Sequence, residues 1–285
     1  YQRSRGLGDV YKRQIMDDKE NLFLSEMYME KSEKFKSVID SLINEKNIIW
    51  NKFNKSVSQT KLSKNITKSS IKYNYYNKLE RYALLRGKNW SQKERERFFK
   101  YRGDVNINDP DLYLLEPYIT YLMNYFNEKT LDSGKVYLYE KNNTDFNIKK
   151  LLIIDSKIDN TNLKNNLSRA TAIEEILNFK NNELHDKFID YFKYVNSSQK
   201  YFNEIIQLYN GINKMGSGNL LPNIKILNFK GEIVETKDEF KTGKTLIYFW
   251  SQTQMNHYRR VIKRINELKN VFPDYRYVGI CIQPY

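Results

Sequence analysis

The stretch from Leu220 to Gln283 constrains the fold more than any other part of the chain. Leu246 to Trp250 form a continuously apolar run, which is typical of a central parallel strand covered on both faces. A segment with apolar residues at helical spacing follows and ends near Val271, and Tyr277 to Ile282 read as the next strand. A strand, a helix and a second strand in this order predict a β-α-β unit with parallel strands.

A hairpin is predicted just before this unit. Leu221-Pro222 opens an extended segment in which Ile224 and Ile226 share one face, as in a half-buried edge strand. Gly231 supplies the turn, and Ile233 begins the returning strand. The sequence therefore predicts a small α/β domain near its C-terminal end.

These residues resemble the thioredoxin-like envelope thiol–disulfide oxidoreductases of the TlpA/ResA type. In that family a Leu-Pro or Ala-Pro opening precedes a strand, a glycine turn and a second strand. A Gly-Lys then leads into a strand ending in Phe-Trp, and a CxxC motif opens the following helix. The matching residues here are Leu221-Pro222, Gly231, Gly243-Lys244 and Phe249-Trp250. The resemblance implies a thioredoxin-like domain and a place in the cell envelope or periplasm.

The resemblance puts the two cysteine positions of the family on Gln254 and His257, with Met255 and Asn256 between them. Dithiol exchange needs a thiolate whose pKa is lowered at the helix N-terminus and a second thiol that resolves the mixed disulfide. An amide and an imidazole supply neither. We therefore expect a redox-inactive module that binds a protein partner through a groove formed by Trp250, Gln254, Met255, Asn256 and His257.

The alternative is an oxidoreductase that acts through Cys281 or through cysteines that this sequence does not contain. Cys281 is the chain's one cysteine, and the alternation of the last strand predicts that it is buried as a small core residue. His257 lies four residues before Val261 on the same helical face, so a packed or capping histidine is expected. Both predictions favour binding over catalysis.

The rest of the chain predicts an α-helical domain. Apolar residues recur at helical spacing from Glu20 to about Lys55 and again in several later segments. The predicted inner faces of those segments are Tyr75, Tyr76, Leu79, Tyr82 and Leu85; Tyr121, Leu122 and Tyr125; Ala170, Ile173, Ile176 and Leu177; Leu184, Phe188, Ile189 and Phe192; and Tyr201, Phe202, Ile205 and Tyr209.

Local signals mark the helix ends and breaks. Ser91 and Glu94 form a capping box, and Pro117 fits the first turn of a helix. Lys61 to Ser70 are predicted to be a polar break, and Val136 to Tyr139 a short strand.

The predicted fold class is therefore an α+β chain of two domains. A helical domain over residues 15–215 precedes a partial thioredoxin-like α/β domain over residues 216–285, with Gly216-Ser217-Gly218 as the joint. Residues 1–14 resemble a translated sequencing adaptor and are excluded from the fold. Because a thioredoxin fold ordinarily continues with a proline loop and two further strands, we expect an exposed sheet edge and poor solubility.

Net charge gives a weaker indication of partners. The chain carries 48 Lys and Arg against 34 Asp and Glu, a net charge of +14. Its lysines are scattered and interleaved with acidic residues, which indicates solvated faces and argues against binding to nucleic acid or to anionic membrane surfaces. No apolar run reaches the roughly 20 residues of a membrane span. The family resemblance still allows a lipid anchor upstream.

Other chemistries are disfavoured. Gly243-Lys244-Thr245 precedes a strand, whereas a phosphate-binding loop follows one. One cysteine and two histidines, His185 and His257, offer no metal-ligand spacing, and no cofactor is predicted. Asp109 and Asp111 fit turn and cap positions better than an acid–base pair.

Overall fold

The computed structural model describes residues 19–131, 144–178, 182–240, 243–251 and 254–282. The chain divides into two compact units, of which the first ends at Tyr209 and the second begins at Asn210. The fold is mixed and dominated by helices. The adaptor-like residues 1–14 and the strand predicted at Val136 to Tyr139 lie outside the described residues.

All the regular elements in the described part of the first unit are helices. Its helices are α1 (residues 19–27), α2 (Ser32–Ser56), α3 (Lys61–Arg86), α4 (Gln92–Phe98), α5 (Glu116–Thr130), α6 (Thr144–Lys157), α7 (Thr161–Leu177), α8 (Asn182–Val195) and α9 (Gln199–Lys214), the last of which continues into the second unit. A 3-10 segment, Phe99–Asp104, follows α4.

Aromatic side chains join the helices of this unit into one core. Helices α2 and α3 run antiparallel, with Phe35 near the start of α2 stacked at 4.3 Å on Tyr82 near the end of α3. Tyr73 of α3 packs against Tyr118 and Tyr121 of α5 at 4.8 and 5.2 Å between ring centroids. These rings are buried, as expected for the inner faces of amphipathic helices.

Two local predictions in this unit are confirmed. Helix α4 begins with a complete capping box, in which the Ser91 side chain accepts from the Glu94 N–H and the Glu94 carboxylate accepts from the Ser91 N–H. Pro117 lies in the first turn of α5. Backbone N–H groups in the first turn have no acceptor within the helix, so a proline there costs no hydrogen bond.

Other predictions in this unit are wrong. Residues 61–70 are helical rather than a polar break, because the Thr60 side chain caps α3 by accepting from the Ser63 N–H at 3.1 Å. Leu85, Leu177 and Leu184 are exposed although they were expected on inner faces, since each lies near a helix end and beyond the packed neighbours.

The second unit begins with the predicted hairpin. Strands β1 (Lys225–Leu227) and β2 (Ile233–Glu235) pair antiparallel, and Gly231 in the turn has φ +81°, a conformation that favours glycine. Thr236 opens the short helix α10 (Thr236–Glu239), and its hydroxyl donates to the Pro222 carbonyl and accepts from the Ile224 N–H, both at 2.9 Å. This buried threonine thus links the end of the second strand to the start of the first by hydrogen bonds.

The predicted β-α-β unit is confirmed. Strands β3 (Thr245–Trp250) and β4 (Arg276–Cys281) pair in parallel, and α11 (Met255–Val271) connects them. The prediction that β3 is covered on both faces is wrong: Phe249 is 53 % exposed, and the other residues of β3 are only half-buried. Among the described residues β3 pairs only with β4.

Candidate functional site

The candidate site lies where β3 gives way to α11. The Trp250 carbonyl accepts from the Ile282 N–H at 2.8 Å, which extends the parallel ladder just past the end of β4. The Gln254 N–H donates to the Ser251 carbonyl at 3.1 Å, and the helix begins at the next residue. Gln254 is thus the N-cap of α11, at the carboxyl end of a parallel strand, where ligand sites of α/β sheets are usually found.

The structure describes the side chains of four of the five predicted groove residues. Gln254, Met255 and His257 are exposed, whereas Trp250 is half-buried and its ring lies 5.0 Å from that of Tyr258. Asn256 belongs to the first turn of α11, but its side chain is outside the described part. Three accessible side chains of different chemistry therefore lie at the N-cap and in the first turn of α11, just after the strand that ends in Trp250.

Of the two roles expected for His257, packing and capping, packing is wrong. Its side chain is exposed, and the next residue, Tyr258, takes the inward position against Trp250. One residue corresponds to about 100° around a helix, so the two side chains point in different directions. Deeper along the same helix, Ile265 is the buried contact.

The expectation that Cys281 is buried is also wrong. It is exposed at the last position of β4, directly opposite Trp250 in the parallel register. Strand alternation predicts burial only for side chains on a face that another layer covers, and the exposed Cys281 side chain lies where the described residues do not cover it. The structure thus brings the thiol to the same end of the sheet as the predicted groove.

The flank of this site is basic. Arg259, Arg260, Lys263 and Arg264 are exposed on α11. The one acidic residue of the helix, Glu267, pairs with Arg264 at 3.0 Å. An excess of positive charge beside the groove favours an acidic partner surface.

Sequence reasoning missed a buried ionic cluster in the first unit. Arg102 donates to both oxygens of the Glu80 carboxylate, from Nε to Oε1 at 2.9 Å and from Nη2 to Oε2 at 2.6 Å. Glu80 is only 2 % exposed. Arg102 Nη1 also donates to Glu128 at 2.9 Å, and Arg95 Nη2 donates to the other oxygen of Glu128 at 2.7 Å. The Arg102 guanidinium lies 3.6 Å from the centroid of the Phe99 ring.

Burial and neighbouring charges shift three pKa values in this cluster. Burial alone would raise the pKa of the Glu128 carboxyl, but the charge and hydrogen bonds of Arg102, and then Arg95, hold that pKa below its usual range. Burial would lower the pKa of Arg102, but hydrogen bonds and charge from Glu80 raise it. Burial, and next the Glu80 carboxylate, raise the pKa of Tyr101, which donates to Glu80 at 2.7 Å.

The cluster borders an open cleft of about 590 Å³ between α4, the 3-10 segment and α5. Its carboxylates and guanidinium groups mainly satisfy one another, so its evident role is to join α3, α4 and α5. The sequence did contain a signal: Glu128 continues the spacing of Tyr121 and Tyr125, and a charge within an aromatic stripe requires a buried partner.

Comparison with family models, with curated proteins and with solved structures finds no match to this chain. The described helices include none that is both long and apolar enough to cross a bilayer. Nor do the described side chains include three or more His, Cys, Asp or Glu grouped as a metal site.

Proposed function

We propose that the second unit is a thioredoxin-like module of the cell envelope that has lost dithiol chemistry and binds a protein partner. The groove formed by Trp250, Gln254, Met255, Asn256 and His257 is its contact surface. The observation that carries the proposal is the position of Gln254 at the junction of a parallel strand and its crossover helix. An amide there can donate and accept hydrogen bonds but cannot form a mixed disulfide.

The accessible groove supports a binding role. Met255 offers a flexible apolar surface that is 43 % exposed, and Gln254 and His257 offer hydrogen-bonding groups beside it. The basic face of α11 would orient an acidic partner segment toward this groove. Such a mixture of apolar and polar contacts suits recognition of a protein better than capture of a metal or a small cofactor.

An insulin-reduction assay driven by a dithiol tests the proposal on the complete protein. We expect turnover no higher than the dithiol background. Turnover comparable to that of an ordinary thioredoxin would eliminate the binding-module proposal.

One observation favours a second candidate, an oxidoreductase that acts through Cys281. The thiol is exposed and lies opposite Trp250, at the same end of the sheet as the groove. The variant Cys281→Ser separates the two candidates: activity that disappears with the thiol supports the oxidoreductase, whereas an unchanged background supports the binding module.

A further inference from the structure

The tip of the α2–α3 hairpin is a second candidate surface, independent of the second unit. Between Glu45 and Glu80 the sequence has eight lysines but no Asp, Glu or Arg. Net charge over the whole chain hides this concentration, because acidic residues are abundant elsewhere. The structure folds the stretch into the end of α2 and the start of α3, joined by residues 57–60. We call residues 48–68 the basic tip.

Large apolar side chains are exposed on the basic tip. They lie in both helices and in the connection, and each is between 36 % and 60 % exposed: Ile48, Ile49, Phe53, Val57, Leu62 and Ile66. They are absent from the core cluster of this unit, against which Ile43 and Ile71 do pack. The hairpin therefore extends beyond the core and presents an apolar surface that the described residues cover only in part.

Lysines occupy the other faces of the same two helix ends. On α3, Leu62 and Ile66 share one stripe, and Lys61, Lys64 and Lys68 share another that lies about 100–160° away around the helix. On α2, Lys52 lies about 100° and Lys55 about 160° around the helix from Phe53. Among the described residues these five lysines form no ion pair, unlike Lys46, which binds Glu20 at 3.0 Å.

We propose that the basic tip docks on an anionic membrane surface. Apolar side chains inserted to the depth of the headgroups, with lysines on the other faces of the same helices, are the combination that amphipathic segments use at such surfaces. The long stems of the lysines can lie along the apolar layer while their ammonium groups reach lipid phosphates. A nucleic acid would leave six exposed aliphatic and aromatic side chains without a role, and the absence of arginine removes the usual bidentate phosphate contact.

Vesicle sedimentation of the full chain tests this proposal. Vesicles of phosphatidylcholine alone are compared with vesicles in which about a third of the lipid is phosphatidylserine. We expect binding only to the anionic vesicles and a steep loss at high salt. Each lysine near the surface contributes about fivefold, so K52Q/K55Q/K61Q should weaken binding on the order of a hundredfold. The matched control K88Q/K93Q/K100Q removes equal charge from exposed lysines outside the tip. It should change vesicle binding little.

A second pair of variants isolates the apolar contribution. F53S/L62S keeps every charge and should weaken binding at least about tenfold, whereas L114S/L177S alters exposed leucines elsewhere and should not. Failure of the wild type to bind anionic vesicles would overturn the proposal. So would equal losses in tip and control variants. Unchanged binding of F53S/L62S to anionic vesicles would also overturn the proposal. A surface that is recognised by charge alone fits a nucleic acid or an acidic protein instead.

Discussion

Cys281 and Trp250 are partners in the parallel register of β3 and β4, so the chain's one thiol lies beside the last residue of the strand that leads to the candidate site. An exposed thiol here is the feature on which the two candidate functions of the second unit differ. Its accessibility is therefore the first property to measure.

Alkylation of the native protein should label Cys281 quickly. Because the side chain is exposed, we expect a rate within about tenfold of that of the denatured chain. Mass spectrometry of the alkylated protein measures the rate, and Cys281→Ser should remain unlabelled. Labelling that begins only in denaturant would contradict the exposed position of β4's last residue.

The double variant Gln254→Cys/His257→Cys should gain insulin-reductase activity if the scaffold is thioredoxin-like. The first thiol would sit at the N-cap of α11, where the helix dipole favours the thiolate. The control Arg260→Cys/Lys263→Cys has the same spacing one turn or more inside the helix and should stay near background. Equal activity in both variants, or none in either, would count against the thioredoxin-like reading.

Gly279→Ala should destabilise the second unit by about 1–2 kcal/mol. Gly279 lies opposite Tyr248, and an added Cβ would be 2.7 Å from the tyrosine ring, which must then move. Urea unfolding measures the change. Gly211→Ala, where nothing lies within 4 Å, is the control. Shortening the neighbour in Tyr248→Ala/Gly279→Ala should remove the clash, so additive losses in the double variant would argue against this cause.

Arg102→Met should destabilise the first unit by about 3–5 kcal/mol, because it leaves the Glu80 carboxylate buried without its cation. The double variant Glu80→Gln/Arg102→Met should recover part of that loss. Arg97→Met breaks an exposed pair with Glu33 and should cost at most about 1 kcal/mol. Chemical unfolding compares the three, and similar losses for Arg97 and Arg102 would refute a buried network.

Stability of the first unit should fall in acid partly through Glu128. The pKa of this carboxyl is lowered in the folded state, so its contribution is present above the unfolded value of about 4.3 and is lost as the pH falls through the folded pKa. Urea unfolding from about pH 7 to pH 3 should show a smaller acid loss for Glu128→Gln than for wild type. An identical pH profile would mean that the Arg102 and Arg95 contacts do not stabilise the charged form.

The order of elements in the second unit followed from the sequence alone, because periodicity and capping are local properties. The apolar run Leu246–Trp250, the stripe around Ile265 and the capping box of Ser91 predicted a strand and two helices that the structure contains. The position of Gln254 at the start of the helix was also predicted from the sequence, since the junction of strand and helix is defined by neighbours in the chain.

What the tertiary structure decided was which side chains are covered and which charges meet. Alternation indicated a buried Cys281, but burial depends on a second layer, which among the described residues does not cover this side chain. Glu80 and Arg102 are far apart in sequence and acquire their roles only when α3 packs beside the 3-10 segment. The basic tip, likewise, exists because residues 61–70 are helical and bring Leu62 alongside the end of α2. Local patterns report what a segment prefers, whereas burial and ion pairing depend on the elements that pack against it.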